Sequence, residues 1–403
     1  MKVLLISDQH FGINDFCIHQ HRSIAKFYNE TFFPTLISEN IKYVFDLGDT
    51  FDDDANINKN LLDWSKVNYF DKLKDYDISL IVLRGNHNPR QKKGGKIIDA
   101  MNLLSSDYKN IKLIHDPTMV KLSEKKILFA PYFDFVNNKL SPARRSNILE
   151  AITNKEADLI LTHNAFKDYK LWENKIARGG LEKDHFTNIS ARIISGHYHA
   201  RSSTKNPNIT YLGSPYALKK GEFNVERGLH ILDLADMSTQ FIRNKFQVFS
   251  FICVETCNEL KDKLKQQNAK EGYVYIIPPL GFKGEIKKMQ DFCSNLEHKN
   301  LEILDTTEKI EQFTHALMER KDYESATIII SHSNKYKQDA ILHLRYSFCL
   351  QHKCQSNMQK ETNLLLNGAL FKALDAADSE QELMCISKKI KELSFQAIEN
   401  SNT

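Results

Sequence analysis

No C-x-x-C occurs in this chain, and its seven cysteines are odd in number and scattered. That excludes a disulfide-stapled secreted scaffold and reads as reduced thiols in a cytoplasmic, intracellular protein. Cys349, His352 and Cys354 supply half of a zinc ligand set, but no second half accompanies them, so they too read as ordinary thiols. No apolar run approaches the roughly 20 residues of a membrane span, so no membrane partner is expected. The apolar start at Val3 stops at Asp8 and is too short for a signal peptide. Low-complexity linkers and internal repeats are lacking as well. A large excess of one charge sign is lacking: 55 Lys and Arg against 51 Asp and Glu leave a net charge of +4. That permits nucleic-acid binding through one basic face without demanding it.

What is present fits a folded chain. At 403 residues, with 41% apolar and 26% charged side chains, there is enough for one large domain and one or two small ones. Five short apolar runs end in side chains that ligate metals. Residues 2–6 lead to Asp8 and His10, and residues 43–47 to Gly48-Asp49. Residues 80–83 lead to Gly85-Asn86-His87, 159–161 to His163, and 193–194 to Gly196-His197-Tyr198-His199. Short unbroken apolar runs are the mark of strands buried on both faces.

Between the first three runs, residues 18–40 and 58–76 read as helices. The first turns Ile24, Phe27, Phe32, Leu36 and Ile37 inward, with Pro34 as a kink site. The second carries Leu61, Trp64, Val67, Phe70 and Leu73 at helical spacing. This alternation predicts α/β structure with right-handed crossovers. Further strands at 111–114, 119–122, 126–130, 209–212, 228–234 and 239–244 cluster with only one helix, 142–154, among them. Two packed sheets with helices outside are therefore expected over residues 1–245.

From Phe246 the pattern restarts. Strands at 250–255, 273–277, 301–304 and 326–330, with helices at 257–267 and 285–295, predict a small α+β domain over 246–331. The segment 332–403 reads as helical from about Lys335 on, its last helix opened by the capping box Ser379-Glu380-Gln381-Glu382. Leu383, Ile386, Ile390, Leu393 and Ala397 form a narrow seam suited to docking on a helix, of this chain or of a partner.

Asp8 and His10 are two apart, so on an extended strand end they point the same way, and His197 and His199 repeat that spacing. Carboxylate, imidazole and amide ligands suit a divalent ion such as Mn²⁺, Fe²⁺ or Zn²⁺. Seven ligands exceed one tetrahedral ion. One bridging carboxylate can hold two ions roughly 3.5–4 Å apart, which clamp the attacking and leaving oxygens of a phosphoryl displacement by an activated water. His87 follows the ligand Asn86 and is left to protonate the leaving alkoxide. Asp52, three residues after Asp49, is placed to hold the His87 ring and favour its protonated form. Alone, a D-x-H is common and a G-N-H is a turn. Two histidines flanking one residue at a strand end are harder to explain without a ligand role, and the order of all five pieces carries the reading. The remaining histidines lack this context and read as surface or satisfied side chains.

The set Asp8-x-His10, Gly48-Asp49-x-x-Asp52, Gly85-Asn86-His87, His163 and Gly196-His197-x-His199 resembles the calcineurin-like metallophosphoesterases over residues 1–245. The resemblance implies an α/β fold: a four-layer αββα sandwich, followed here by the small α+β capping domain and the C-terminal helical segment. It also implies a dinuclear site. Asp8, His10 and His199 would serve one metal, and Asn86, His163 and His197 the other, with Asp49 bridging and His87 as general acid. Asn88 stands where the family usually has an aspartate that is not normally a ligand.

Asp8-Gln9-His10-Phe11-Gly12, Gly48-Asp49-Thr50-Phe51-Asp52, Tyr211-Leu212-Gly213-Ser214-Pro215-Tyr216 and Glu226-Arg227-Gly228 are similar to the DNA-repair nuclease branch, which includes bacterial and phage recombination nuclease subunits. That likeness implies two Mn²⁺ ions and exonuclease and endonuclease action on double-stranded DNA ends and single strands. It further implies a cap that helps hold DNA, C-terminal helices that dock on an SMC-like coiled-coil ATPase, and a homodimer through front helices including 58–76. Lys92, Lys93 and Lys96, around Gly94-Gly95 just after His87, form a basic loop where a DNA backbone would run. Arg144-Arg145 and Lys219-Lys220 are further candidates, although such pairs are ordinarily a solvated face. No aromatic-rich stacking motif supports sequence-specific readout.

Two other readings stand beside the nuclease. One is a phosphatase or small-molecule phosphodiesterase of the same fold, against which the long extension beyond residue 245 speaks. The other is a non-catalytic scaffold, which would have lost ligands that are all present here.

Overall fold

The computed structural model describes residues 1–53, 57–87, 100–133, 142–153, 156–167, 169–172, 175–177, 179–204, 208–219, 226–246, 248–266, 272–296, 301–318, 322–334, 342, 345, 346 and 349. These fall into two compact units, divided between Val248 and Phe249.

The strands of the first unit are, in chain order, β1 (Lys2–Ile6), β2 (Tyr43–Asp46), β3 (Ser79–Leu83), β4 (Ile111–Ile114), β5 (Thr118–Leu122), β6 (Lys125–Ala130), β7 (Leu159–Thr162), β8 (Lys170–Trp172), β9 (Lys175–Ile176), β10 (Arg192–Ser195), β11 (Ser202–Ser203), β12 (Ile209–Tyr211), β13 (Gly228–Asp233) and β14 (Thr239–Arg243). Two six-stranded sheets result, ordered β14-β13-β1-β2-β3-β4 and β11-β12-β10-β7-β6-β5. Strands β1 to β4 are parallel, with Leu5 opposite Phe45 and Phe45 opposite Ile81. In the second sheet β12, β10, β7 and β6 are parallel, with Ile193 opposite Ile160. Antiparallel strands occupy three of the four sheet edges, β14, β11 and β5; the fourth, β4, is parallel.

The unbroken apolar runs follow from this arrangement, because each central strand is covered on both faces. Val3, Leu5, Phe45, Ile81 and Leu83 of the first sheet share one buried cluster with Ile127, Phe129, Leu159, Leu161 and Ile194 of the second. The sheets therefore pack face to face. Alternate residues of the second sheet, Leu128, Ile160 and Ile193, pack on Ile148 and Ile152 of the helix Pro142–Ile152. The alternate residues Leu4, Val44 and Leu80 of the first sheet are equally buried. Phe27, Tyr28, Phe32, Phe33, Tyr69 and Phe70 are buried aromatics of the two helical segments that connect β1 to β2 and β2 to β3. Each such apolar side chain, once buried, contributes about 1.5–3 kcal/mol. The outcome is the expected α/β sandwich of helices, sheet, sheet and helix.

Those two connecting segments differ from simple helices. The first is an α-helix over Ile18–Phe27, a π-helical turn over Tyr28–Phe32 and an α-helix over Phe33–Ser38. Pro34 lies at the start of the last piece, where a widened turn accommodates its missing N–H. The second runs through Lys59–Ser65, a π turn at Lys66–Phe70 and Asp71–Asp75, opened by Asn58, whose side chain accepts from the Leu61 N–H at 2.9 Å. Each π turn inserts a residue and resets the face beyond it, so that Leu36 and Leu73 stay buried. Ile37 and Val67, expected inward, are instead 58% and 62% exposed.

In the second unit β15 (Phe249–Cys253), β16 (Tyr273–Ile277) and β17 (Leu301–Ile303) form a parallel sheet. Leu260 and Leu264 of the helix Cys257–Gln266 and Met289 of the helix Lys283–Ser294 cover it. A helix over Thr307–Met318, absent from the sequence reading, follows. The strand expected at 326–330 is instead part of a helix, Tyr323–Ser333. Asp322 caps it by accepting from the Ser325 N–H at 3.1 Å, and Ala326, Ile329, Ile330 and Ser333 are buried at helical spacing. Cap and packing outweigh the strand propensity of the β-branched run.

Among the described residues no helix is long and apolar enough to cross a membrane. Cys17, Cys253, Cys257, Cys293 and Cys349 are free thiols. Lys92, Lys93, Lys96 and Lys220, His352, Cys354 and the seam at 383–397 lie outside the described residues, as do the side chains of Arg144 and Arg145.

Candidate metal centre

The C-terminal ends of β1, β2, β3, β7 and β10 converge on one edge of the sandwich, where open α/β sheets bind ligands. Side chains from the turns beyond those ends fall into overlapping groups. Asp8, His10 and His199 form one, Asp49, His163 and His197 another, and His10, Asp49 and His87 a third; within each the ligand atoms lie within 4.8 Å of one another. The Nε2 atoms of His10 and His199 are 3.1 Å apart. Asp49 Oδ2 is 3.1 Å from His163 Nε2 and 4.0 Å from His10 Nε2, so it stands between the groups. Asn86 Oδ1 joins the second group, 3.1 Å from His163 Nε2 and 2.6 Å from His197 Nδ1. The structure thus brings together all seven side chains read as ligands, and His87 beside them.

The ligands converge by a different local route from the one the spacing implied. Asp8 (φ 54°), His10 (φ 47°), Asp49 (φ 54°) and His197 (φ 82°) all adopt left-handed backbone conformations, not extended ones. For a residue with a Cβ this costs about 1–2 kcal/mol each. Main-chain bonds hold the first two turns together: Asp8 N–H donates to Gly48 O (2.9 Å), His10 N–H to Asp49 O (3.0 Å) and Phe11 N–H to Thr50 O (2.8 Å). Two glycines give the room. A Cβ on Gly85 would stand 2.0 Å from Asp49 Oδ1, and one on Gly196 2.0 Å from Ser7 Oγ and 2.8 Å from His163 Nδ1.

Second partners fix which atom each ligand presents. His163 Nδ1 donates to Leu47 O at 2.6 Å, which turns Nε2 into the site. His10 Nδ1 bonds Asp52 Oδ1 at 2.8 Å, leaving Nε2 to face His199. His197 N–H donates to both oxygens of Asp8 at 3.1 Å. Asp52 therefore departs from its expected role. Its carboxylate holds His10, and only its main-chain carbonyl accepts from His87 Nδ1. That leaves His87 Nε2 without a demand from Asp52 and exposes the ring at the mouth of the site, edge-on to His10 at 4.7 Å. The His87 N–H also donates to Asp49 Oδ1 at 3.0 Å.

Asp8, Asp49, His10 and His163 are all buried. Burial pushes the Asp8 carboxyl up, against the pull of His163. Burial also works against the charge of Asp49, but the His163 charge and hydrogen bond, with His10 and His87, hold it well below the usual carboxylate range. Burial opposes the charge on His163, yet Asp49, Asp8 and the Leu47 carbonyl raise it to about 9. For His10, burial is outweighed by its hydrogen bond to the Asp52 carboxylate and by Asp49 and Asp8, which raise it. Burial and the His163 charge push His197 down to about 3, while burial, His10, Arg227 and Lys219 push His199 down to about 2. Four imidazoles, a half-buried amide oxygen and two buried carboxylates are the donor set of divalent cations; a cation takes the place of the protons that His10 and His163 hold without it, so these residues fit metal.

Several contributors were invisible in the motifs. Gln9, between two ligands, is fully buried and bonds Asp46. The Tyr132 and Tyr198 rings flank His197 at 5.7 and 5.0 Å. An apolar run shortly before each glycine signals a strand end, but nothing in the spacing identifies these outer partners.

A model of the calcineurin-like phosphoesterase family matches residues 1–210. Exonuclease subunit 1 of Enterobacteria phage T4 is 29% identical over 200 residues, 49% of this chain and 54% of that protein. The chain thus spans about half the length of the curated relative it matches.

Proposed function

This chain belongs to the calcineurin-like phosphoesterase family, and we propose that within it the protein is a metal-dependent DNA nuclease subunit. The observation that carries this reading is the shared position of Asp49 between two ligand groups, with His87 exposed at their mouth. The likeness to a phage exonuclease subunit supports DNA as the substrate. Asp8, His10 and His199 would hold one divalent ion, Asn86, His163 and His197 the other, with Asp49 between. When bound, such ions lower the pKa of a water nucleophile and neutralise phosphate charge; Mn²⁺ suits this mixed oxygen and nitrogen set.

The chain's own residues do the rest. His10 and His163 are turned by Asp52 and Leu47 so that Nε2 faces inward. His87, steadied through Nδ1 by the Asp52 carbonyl, offers Nε2 to the departing alkoxide and gives it a proton. Lys92, Lys93 and Lys96 follow His87 in sequence and would meet the DNA backbone. The word "subunit" in the relative's name supports assembly with a partner, for which we propose an SMC-like coiled-coil ATPase docked on residues 332–403. The exposed Val67 on the second connecting helix fits a homodimer contact.

The test is degradation of end-labelled linear duplex DNA with Mn²⁺, against His87→Gln. Cleavage by the parent chain, lost in the variant with Mn²⁺ binding retained, is expected. Hydrolysis of a small chromogenic phosphodiester without any cleavage of DNA, alone or with the ATPase, would move the assignment to a phosphatase or small-molecule phosphodiesterase.

A further inference from the structure

Behind the ligands lies a buried polar cluster that touches none of the ligand atoms. Gln9 sits between Asp8 and His10 and is bonded at both ends of its residue. Its Nε2 donates to Asp46 Oδ2 at 2.7 Å, its Oε1 accepts from the Tyr28 hydroxyl, and its main-chain carbonyl accepts from the Tyr216 hydroxyl at 2.5 Å. Asp46 closes the cluster on the other turn. Its Oδ2 also accepts from Thr50 Oγ1 at 2.6 Å and its Oδ1 from the Gly48 N–H at 3.0 Å, the residues on either side of Asp49. Gln9, Asp46, Tyr28, Tyr216 and Thr50 are at most 3% exposed.

We propose that Gln9 and Asp46 are positioning residues for the metal centre, locking the turn that carries Asp8 and His10 to the turn that carries Asp49. Three of the four left-handed ligand residues lie on these two turns. Main-chain bonds alone tie the turns along one line. The Gln9–Asp46 bond adds a tie from the side, and its loss lets Asp8 and His10 relax away from Asp49. Partners outside the ligand sphere that orient ligands in this way are worth about 10–100-fold in metal affinity. The inference rests on the reading of the cluster as a metal centre, so the experiment measures metal uptake and does not depend on DNA cleavage.

The full chain, stripped of metal, is titrated with Mn²⁺ and free ion is followed by electron paramagnetic resonance. Gln9→Glu sets two carboxylates face to face. Adding Asp46→Asn restores a bond of reversed polarity, with the new amide also able to donate to Thr50. Expected is a 10- to 100-fold weaker uptake in Gln9→Glu and, in the double variant, recovery to within about threefold of the parent. A merely structural role for Gln9 would not give this reciprocal rescue. Tyr216→Phe, which removes only the donor to the Gln9 carbonyl, is expected to weaken uptake several-fold and keeps the test decisive if Gln9→Glu does not fold. Parent-like uptake in Gln9→Glu, no recovery in the double variant, or, should Gln9→Glu not fold, parent-like uptake in Tyr216→Phe overturns the proposal. No uptake by the parent overturns the metal-centre reading and this proposal together, whereas uptake with silence on DNA leaves the proposal standing and overturns only the nuclease assignment.

Discussion

Asp52→Ala separates the two contacts that Asp52 makes, one expected from the sequence and one not. The carboxylate bonds His10 Nδ1 at 2.8 Å, whereas His87 Nδ1 meets the Asp52 main-chain carbonyl, which any residue retains. Removing the side chain therefore frees the His10 ring to rotate and takes away the acceptor that makes Nε2 the inward nitrogen. Losing an outer-sphere carboxylate on a ligating histidine weakens metal binding by about 10–100-fold, or about 1.4–2.8 kcal/mol. The Asp52 side chain is 33% exposed, and solvent screening moves the expectation toward the lower end, about tenfold. Calorimetric titration of the metal-free chain with Mn²⁺ reads this directly. At saturating Mn²⁺ cleavage should recover, with an unchanged pH profile, because the His87 contact is intact. Unaltered Mn²⁺ affinity together with a shifted pH profile of cleavage would refute the reasoning and restore Asp52 as the partner of His87.

His21 supplies a pH dependence away from the ligands: it is fully buried, accepts from the Gly12 N–H at 2.9 Å through Nε2 and donates to Cys17 O at 3.0 Å through Nδ1. Burial pushes it down to about 4 from 6.5, so the unfolded chain binds its proton first. Its stabilisation is complete above pH 6.5 and is lost as pH falls toward 4, by about 3 kcal/mol. Urea unfolding at pH 7 and pH 4 should show a loss smaller by that amount in His21→Gln than in the parent, and parallel losses would contradict it. Gly85→Ala should abolish Mn²⁺ uptake while secondary structure by circular dichroism persists, because the new Cβ would displace the Asp49 carboxylate. Gly284→Ala, where a Cβ meets nothing within 4 Å, is the control expected to keep parent-like uptake.

The residues gathered at the candidate metal centre were legible for a physical reason. A strand covered on both faces must be apolar, so the first polar side chains after it stand out, and parallel strands bring their C-terminal ends to one edge. Asp8, His10, Asp49, Asn86, His163, His197 and His199 are all announced this way. What the spacing does not carry is the direction of a bond. Asp52 lies three residues from Asp49 whether it turns to His87 or His10, and only the fold decides. Nor does it carry an inserted residue. The π turns within residues 18–40 and 58–76 leave no mark in the apolar pattern, and Ile37 and Val67, which that pattern set inward, face solvent. At 326–330 a β-branched run imitates a strand, and the decisive residue, Asp322, lies four positions upstream.

The site is expensive to build from its parts. Four left-handed ligand residues and two carboxylates buried at a few ångströms are each unfavourable on their own. None is offset within its own turn. Asp8 is held by the His197 N–H from the second sheet, and His163 by the Leu47 carbonyl of the first. In these two contacts each sheet orients a residue that the other contributes. A metal site fixed in this reciprocal way depends on the apolar cluster between the sheets, in which Leu5 and Phe45 pack with Leu161 and Ile194. Sliding one sheet on the other would break both contacts at once, while side-chain changes on the outer faces would break neither. The rigidity that a metal site needs thus rests on sheet packing as well as on the bonds between the turns.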